Sequence, residues 1–241
     1  MSKVTKKLRR FGRYTWEMFK GAVPALLVYL CMGLVLIMLG VKGEDDYAWD
    51  SRKTTWTLVC WICCLAYNSL LAFAQGGSHY EMLVSGNVKR MSMDEYGNGY
   101  KISTHKEAKE YRPWKGFAIG GWIGIFAVIA GIIWGVNQAA IDGEKANAAT
   151  GICLLLVGWA CGPFYFLSAT PGVNVSYYLI CLVGLVPVLV SGGLYIAGAY
   201  ARRNKQIRQQ QIADAMSARA TQKEKKINYG GLPGTKPRKH K

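Results

Sequence analysis

Two triplets in this 241-residue chain carry side chains able to move protons or ligate a metal: His79-x-Glu81 and His105-x-Glu107. Both groups must reach one face to act together. A spacing of two achieves that on a strand but not on a helix, where neighbours lie three or four apart. The second triplet sits in the helix-favouring run THKEAKEY, and neither completes the H-E-x-x-H of a zinc protease. Solvated loop residues with local salt bridges are the expected state. A ligand-binding or catalytic role for His79 and Glu81 is the alternative. Cys60 and Cys63 form a C-x-x-C, but no His or acid stands beside them, and a thiolate in an apolar stretch is costly. All seven cysteines (Cys31, Cys60, Cys63, Cys64, Cys153, Cys161 and Cys181) fall inside apolar stretches, which favours small apolar fillers over a disulfide framework. These spacings lead to no expected metal site or cofactor.

Asn68, in the cluster Tyr67-Asn68-Ser69, is the most polar residue inside any apolar stretch. An amide there serves either as a solute contact or as an interhelical hydrogen bond contributing about 0.6–2 kcal/mol. With no charge or second amide beside it, the second role is expected.

The elements that must position these groups are membrane helices. The 30 basic and 14 acidic residues all lie outside five apolar stretches, at about 22–40, 55–74, 116–136, 148–169 and 177–200. At 1.5 Å per residue, roughly 20 residues cross ~30 Å of hydrocarbon, so each stretch is a candidate span. The first is longer than the about 7–15 apolar residues of a secretory signal and ends in LGVKGEDD without a small-residue cleavage site. It is read as a retained helix with Pro24 in its first turn.

Orientation follows from Lys and Arg in the connections. Seven precede the first stretch, three follow it, seven lie in 75–115, one lies between the third and fourth stretches, none between the fourth and fifth, and twelve after Ala201. Both termini and the second connection are therefore expected to be cytoplasmic, which requires an even number of crossings. Gly162-Pro163 interrupts the fourth stretch and is the expected break. The expected fold is an all-α integral membrane protein, a small bundle of four spanning helices plus one interrupted or re-entrant hydrophobic segment, with five spans as the alternative. Its parts are a basic N-terminus (1–21), a two-helix hairpin (22–75), a cytoplasmic connection (76–115), a second membrane half (116–201) and a basic tail (202–241).

The third stretch carries the most regular pattern. Gly116, Gly120, Gly124, Ala127, Gly131 and Gly135 follow at steps of four, four, three, four and four, forming one helical stripe. Small residues let another helix approach closely, either within the chain or in a second copy. In the second connection, Gly76-Gly77 is expected to end or kink the second helix, an Asn-Gly pair within DEYGNGYKIS to close a hairpin, and a helix to run to Tyr111. Arg112, Trp114 and Lys115 stand where headgroups would meet the third span, as interfacial anchors. The tail reads as a helix with a thin apolar face (Ile207, Ile212, Ala215 and Met216) followed by a disordered end.

The spans hold no Asp, Glu, Lys, Arg or His, which disfavours proton-coupled pumps and voltage sensors. Three classes remain, in this order: a non-catalytic scaffold or accessory subunit, a channel or facilitator for a small neutral solute, and a membrane-surface enzyme built on the 76–115 connection. Expected partners are the bilayer, its anionic headgroups through the basic ends, and another copy or subunit through the third span. The tail has almost no aromatics for base stacking, so no nucleic acid is expected. The expected location is the cell membrane.

Overall fold

Uncharged runs of about twenty residues have no better way to satisfy their backbone in hydrocarbon than a helix. In the computed structural model, which describes residues 3–39, 46–84, 109–137, 157–168 and 175–226, four of the five apolar stretches form long helices. Helix α1 spans Lys3–Leu39, α2 Asp46–Val84 and α3 Trp114–Val136. A 3-10 turn at Gly158–Ala160 leads into the short α4 (Cys161–Ser168), and α5 runs from Leu179–Lys226. No strand occurs among the described residues. The segments Lys7–Leu36, Thr54–Val84, Trp114–Val136 and Leu179–Arg219 are each long and apolar enough to cross a membrane. Large aliphatic side chains face outward on all four, among them Leu27, Leu70, Ile129 and Leu189. Such an apolar exterior suits lipid rather than water.

The contacts order the helices. Phe19 of α1 meets Trp122 of α3 edge-on, and Gln75 of α2 donates its amide to the Gly21 carbonyl of α1 at 2.8 Å. Asn68 of α2 pairs with Ser191 of α5. These pairs gather the first turns of α1's span, the end of α2, the start of α3 and the 191–200 stretch of α5 at one end of the bundle. At the opposite end Trp159 stacks obliquely on Tyr29, with ring centroids 4.5 Å apart. Phe164 of α4 stacks on Tyr177 at 4.7 Å, and Tyr177 meets Trp134 edge-on. The apolar core runs between these ends through Met18, Ile123, Cys64 and Ile180.

Three local expectations are corrected. Gly76-Gly77 does not end α2, which continues to Val84. A Cβ at Gly76 would overlap the Tyr195 carbonyl of α5, so the residue type reflects close helix crossing rather than termination. Pro24 is not in a first turn, because α1 begins at Lys3 and the basic run before it is already helical. Its ring removes the donor for the Lys20 carbonyl. One residue on, the Gly21 carbonyl receives Gln75 from α2.

Pro163 follows the 3-10 turn directly, and the chain before Val157 lies outside the described residues. The proline lies in the first turn of α4, where a missing N–H costs nothing, and the irregular backbone is upstream at Val157–Ala160. A Cβ at Gly162 would stand 2.7 Å from the Thr57 carbonyl, so α4 is set directly against α2. The first part of the fourth apolar stretch, the Asn-Gly turn, His105, Glu107, Cys153 and the tail beyond Lys226 lie outside the described residues. Lys109 and Glu110 form a turn and bend rather than the end of a helix.

The chain separates into two units, residues 1–200 and 201–241. In the second, the helix continues to Lys226, and Ile207, Ile212 and Met216 are exposed along it.

Candidate functional site

Asn68, Gln75, His79, Lys115, Ser191 and Tyr195 gather toward the end of the bundle where α1 and α3 begin. On α2, Asn68, Ala72, Gln75 and His79 follow at steps of four, three and four and so share one stripe. On α5, Ser191 and Tyr195 stand one turn apart and face that stripe. Asn68 Nδ2 donates to Ser191 Oγ at 2.8 Å, and Ser191 Oγ donates back to Asn68 Oδ1 at 3.2 Å. Asn68 is 1% exposed and Ser191 0%, so each supplies the bond the other needs in a dry environment.

One level further out, His79 Nδ1 lies 2.7 Å from the Tyr195 hydroxyl, which donates when that nitrogen is unprotonated. Tyr111 stacks nearly parallel on Tyr195 with centroids 5.4 Å apart, and its backbone N–H donates to the His79 carbonyl at 3.1 Å. The connection after α2 is thus tied back onto α2 just before α3 starts. His79 is a helical residue bonded to a buried phenol, which corrects the expectation of a solvated loop. Glu81 points to the exposed side of the same helix, so the triplet does not bring its two groups together. The reason is the one the spacing implies, a separation of ~200° around a helix.

Lys115 corrects the anchor expectation. Its neighbour Trp114 is exposed beside Tyr14, but Lys115 itself is 0% exposed and donates through Nζ to the Glu110 carbonyl. Its ammonium lies 5.5 Å from the centroid of the Tyr14 ring, and the Arg112 guanidinium lies 5.4 Å from it. Each cation is within reach of the ring quadrupole of Tyr14. A lysine drawn inward at this position fastens the 109–115 segment rather than reaching for headgroups.

The six small residues of α3 all face α5. A Cβ at Gly116 would stand 2.6 Å from Tyr195 Cβ, one at Gly120 2.6 Å from Val188 Cα, and one at Gly131 2.6 Å from Cys181 Sγ. Gly135 lies against Tyr178, and a Cβ at Gly184 would stand 2.9 Å from Ala127 Cβ, while Gly124 abuts the Gly184 carbonyl. The stripe is therefore filled inside the chain. A second copy meeting α3 would find its other face, with Ile125, Ile129 and Ile132.

Chemically, the junction can hold helices in register, with the phenol donating a hydrogen bond to the imidazole. Among the described residues no group of three His, Cys, Asp or Glu side chains is placed to hold a metal. The hydroxyl of Tyr14 and Oε1 of Gln75 are buried at the same end without a hydrogen-bond partner among the described residues. Sequence reasoning missed Tyr14, Gln75, Tyr111 and Tyr195. Aromatic and hydroxyl residues in apolar runs score as apolar, but the Asn68–Gln75–His79 stripe was a readable signal.

Replacing Tyr195 by Phe keeps the ring and its stacking and removes one hydrogen bond, so a loss of about 1 kcal/mol is expected in detergent unfolding. His79→Gln combined with Tyr195→Phe should cost less than the two separate losses added together. Full additivity would show that the pair does not interact.

No protein family, no curated protein and no solved structure matches the chain. Architecture alone defines the class: among the described residues the regular elements are all helical and four helices are long and apolar enough to cross a membrane, the architecture of a multi-pass membrane protein.

Proposed function

We propose that the protein is a non-catalytic membrane scaffold or accessory subunit. The supporting observation is that the principal polar side chains of the spans are turned on one another across α2 and α5, Asn68 on Ser191 and His79 on Tyr195. Such pairing makes a rigid frame and leaves the outward faces for other membrane components. In this reading the fourth hydrophobic segment is re-entrant, four helices cross the cell membrane, and both basic termini are cytoplasmic. The gathering of the α1 and α3 starts with the α2 end supports the same threading, as does the basic excess at those ends. Its surroundings are lipid, anionic headgroups at the basic ends, and a second copy or another subunit against the outward faces.

A reporter active only in the cytoplasm, fused after Lys241, is expected to be active. An inactive fusion there, with an export-dependent reporter active instead, would establish the five-span alternative. For the function itself, affinity capture from the native membrane after cross-linking should recover a defined set of membrane partners, and the purified protein should pass no solute across liposomes.

A second reading rests on Tyr29 and Trp134, whose hydroxyl and indole N–H are buried toward the opposite end of the bundle without a hydrogen-bond partner among the described residues. Unpaired donors there suit a path for small neutral solutes. Robust, selective liposome flux that Tyr29→Phe reduces would establish this reading over the first.

A further inference from the structure

Helix α1 begins well before its apolar stretch, and its early turns are sorted into two rows. Val4, Leu8, Phe11, Thr15 and Phe19 follow at steps of four, three, four and four. Arg9, Arg13, Trp16 and Lys20 follow at steps of four, three and four, one residue further round the helix. The first row is apolar apart from Thr15, whose hydroxyl donates to the Phe11 carbonyl, and the second is cationic with a single indole in it. Between the rows, Phe11, Gly12, Thr15, Trp16 and Phe19 form a groove that Trp122 of α3 completes. Nothing within 4 Å fills the space where a Cβ at Gly12 would stand, so the floor of the groove is open. Phe11 and Trp16 are 69% and 56% exposed, and Lys20 Nζ lies 5.5 Å from the Trp16 ring at the groove's edge.

From this geometry we infer that the groove is a binding site for one anionic phospholipid, its acyl chain on Phe11, Phe19 and Trp122 and its headgroup against Arg9, Arg13 and Lys20. Charge decides the occupant. A second copy would bring the same row of cations against the first. The helix of unit 2 carries eight basic residues between Arg202 and Lys226 and only two acids, Asp214 and Glu224, so it too would bring cations to cations. An anionic headgroup is attracted instead, by an amount equivalent to roughly five-fold in local concentration for each basic residue at the surface. Depth agrees with this occupant. The groove lies at the same bundle end as Trp114, an exposed indole beside Tyr14, where amphipathic rings sit at headgroup level.

The test uses the full-length protein in phosphatidylcholine bilayers that carry an equal fraction of either brominated phosphatidylglycerol or brominated phosphatidylcholine. Bromine quenches a tryptophan it touches, and the Trp16 contribution is obtained by difference from Trp16→Phe, a variant that keeps an aromatic ring in place. Quenching of that contribution by the anionic lipid is expected to exceed quenching by the zwitterionic one roughly three-fold or more. The excess should vanish in the Arg9→Gln, Arg13→Gln, Lys20→Gln variant, whose far-ultraviolet dichroism should match that of the parent. Equal quenching by the two lipids overturns the proposal, because it reports ordinary annular contact. An excess that survives the triple substitution also overturns it. So does a Trp16 contribution that neither lipid quenches, since protein would then cover the groove.

Discussion

Adding one methyl group at Gly124 is expected to destabilise the bundle more than any other single-carbon change in α3. The new Cβ would overlap the carbonyl of Gly184, and a backbone atom cannot move aside as a side chain can. Overpacking of this kind costs about 1–3 kcal/mol or more. In an exposed helix position the same Gly→Ala change favours the folded state by about 0.5–1 kcal/mol, because alanine loses less backbone entropy. Gly121 on α3 and Gly193 on α5 supply the controls, since nothing lies within 4 Å of a Cβ at either. Titration of each purified variant from mild detergent into a denaturing one should place Gly121→Ala and Gly193→Ala at or above the parent and Gly124→Ala well below it. Gly76→Ala should fall with Gly124→Ala, because its Cβ would overlap the Tyr195 carbonyl. If all four behaved alike, the α3–α5 and α2–α5 crossings described above would be wrong.

The second large effect is expected at Asn68. Asn68→Asp keeps the shape of the side chain but replaces the donor to Ser191 with a buried charge inside a span, at a cost of up to ~2.5–3.5 kcal/mol, the figure for a helix centre. Asn68→Leu removes the polar group and leaves Ser191, 0% exposed, without its partner; about 1–2 kcal/mol is expected. The discriminating measurement is the cycle with Ser191→Ala. A coupling of about 0.6–1.7 kcal/mol is the range for bonds between membrane helices. Ser69→Ala serves as a neighbouring control, because Ser69 Oγ donates only to the Leu65 carbonyl of its own helix. A loss at Ser69 equal to that at Asn68 would show that any polar deletion in this turn is harmful, and that the α2–α5 bond has no special weight.

The two predictions concern different kinds of information. Five uncharged stretches, the lopsided distribution of Lys and Arg, and the six-member stripe on α3 are legible along the chain. Each depends on a one-dimensional quantity: absence of charge over the length of a bilayer, or small residues recurring with the helical period. Asn68 is legible as a side chain in need of a partner for the same reason, since an amide in hydrocarbon must be satisfied. The places where reading along the chain went astray share a cause. Gly76-Gly77 reads as a stop signal and Lys115 as an anchor because local propensity assumes that water or lipid surrounds the residue. In the structure another helix does.

By itself, then, the sequence determined that the chain belongs in a membrane, roughly where its helices cross, and which face of α3 another helix could approach. The tertiary structure decided the partners. It laid α5 along the glycine stripe and brought Ser191 to Asn68 across 123 residues. It bonded Tyr195 to His79 and drew Lys115 inward beneath Tyr14. Hydropathy and helical period carry no address for a distant partner. That choice is made by which surfaces fit at van der Waals distance once the helices are in place.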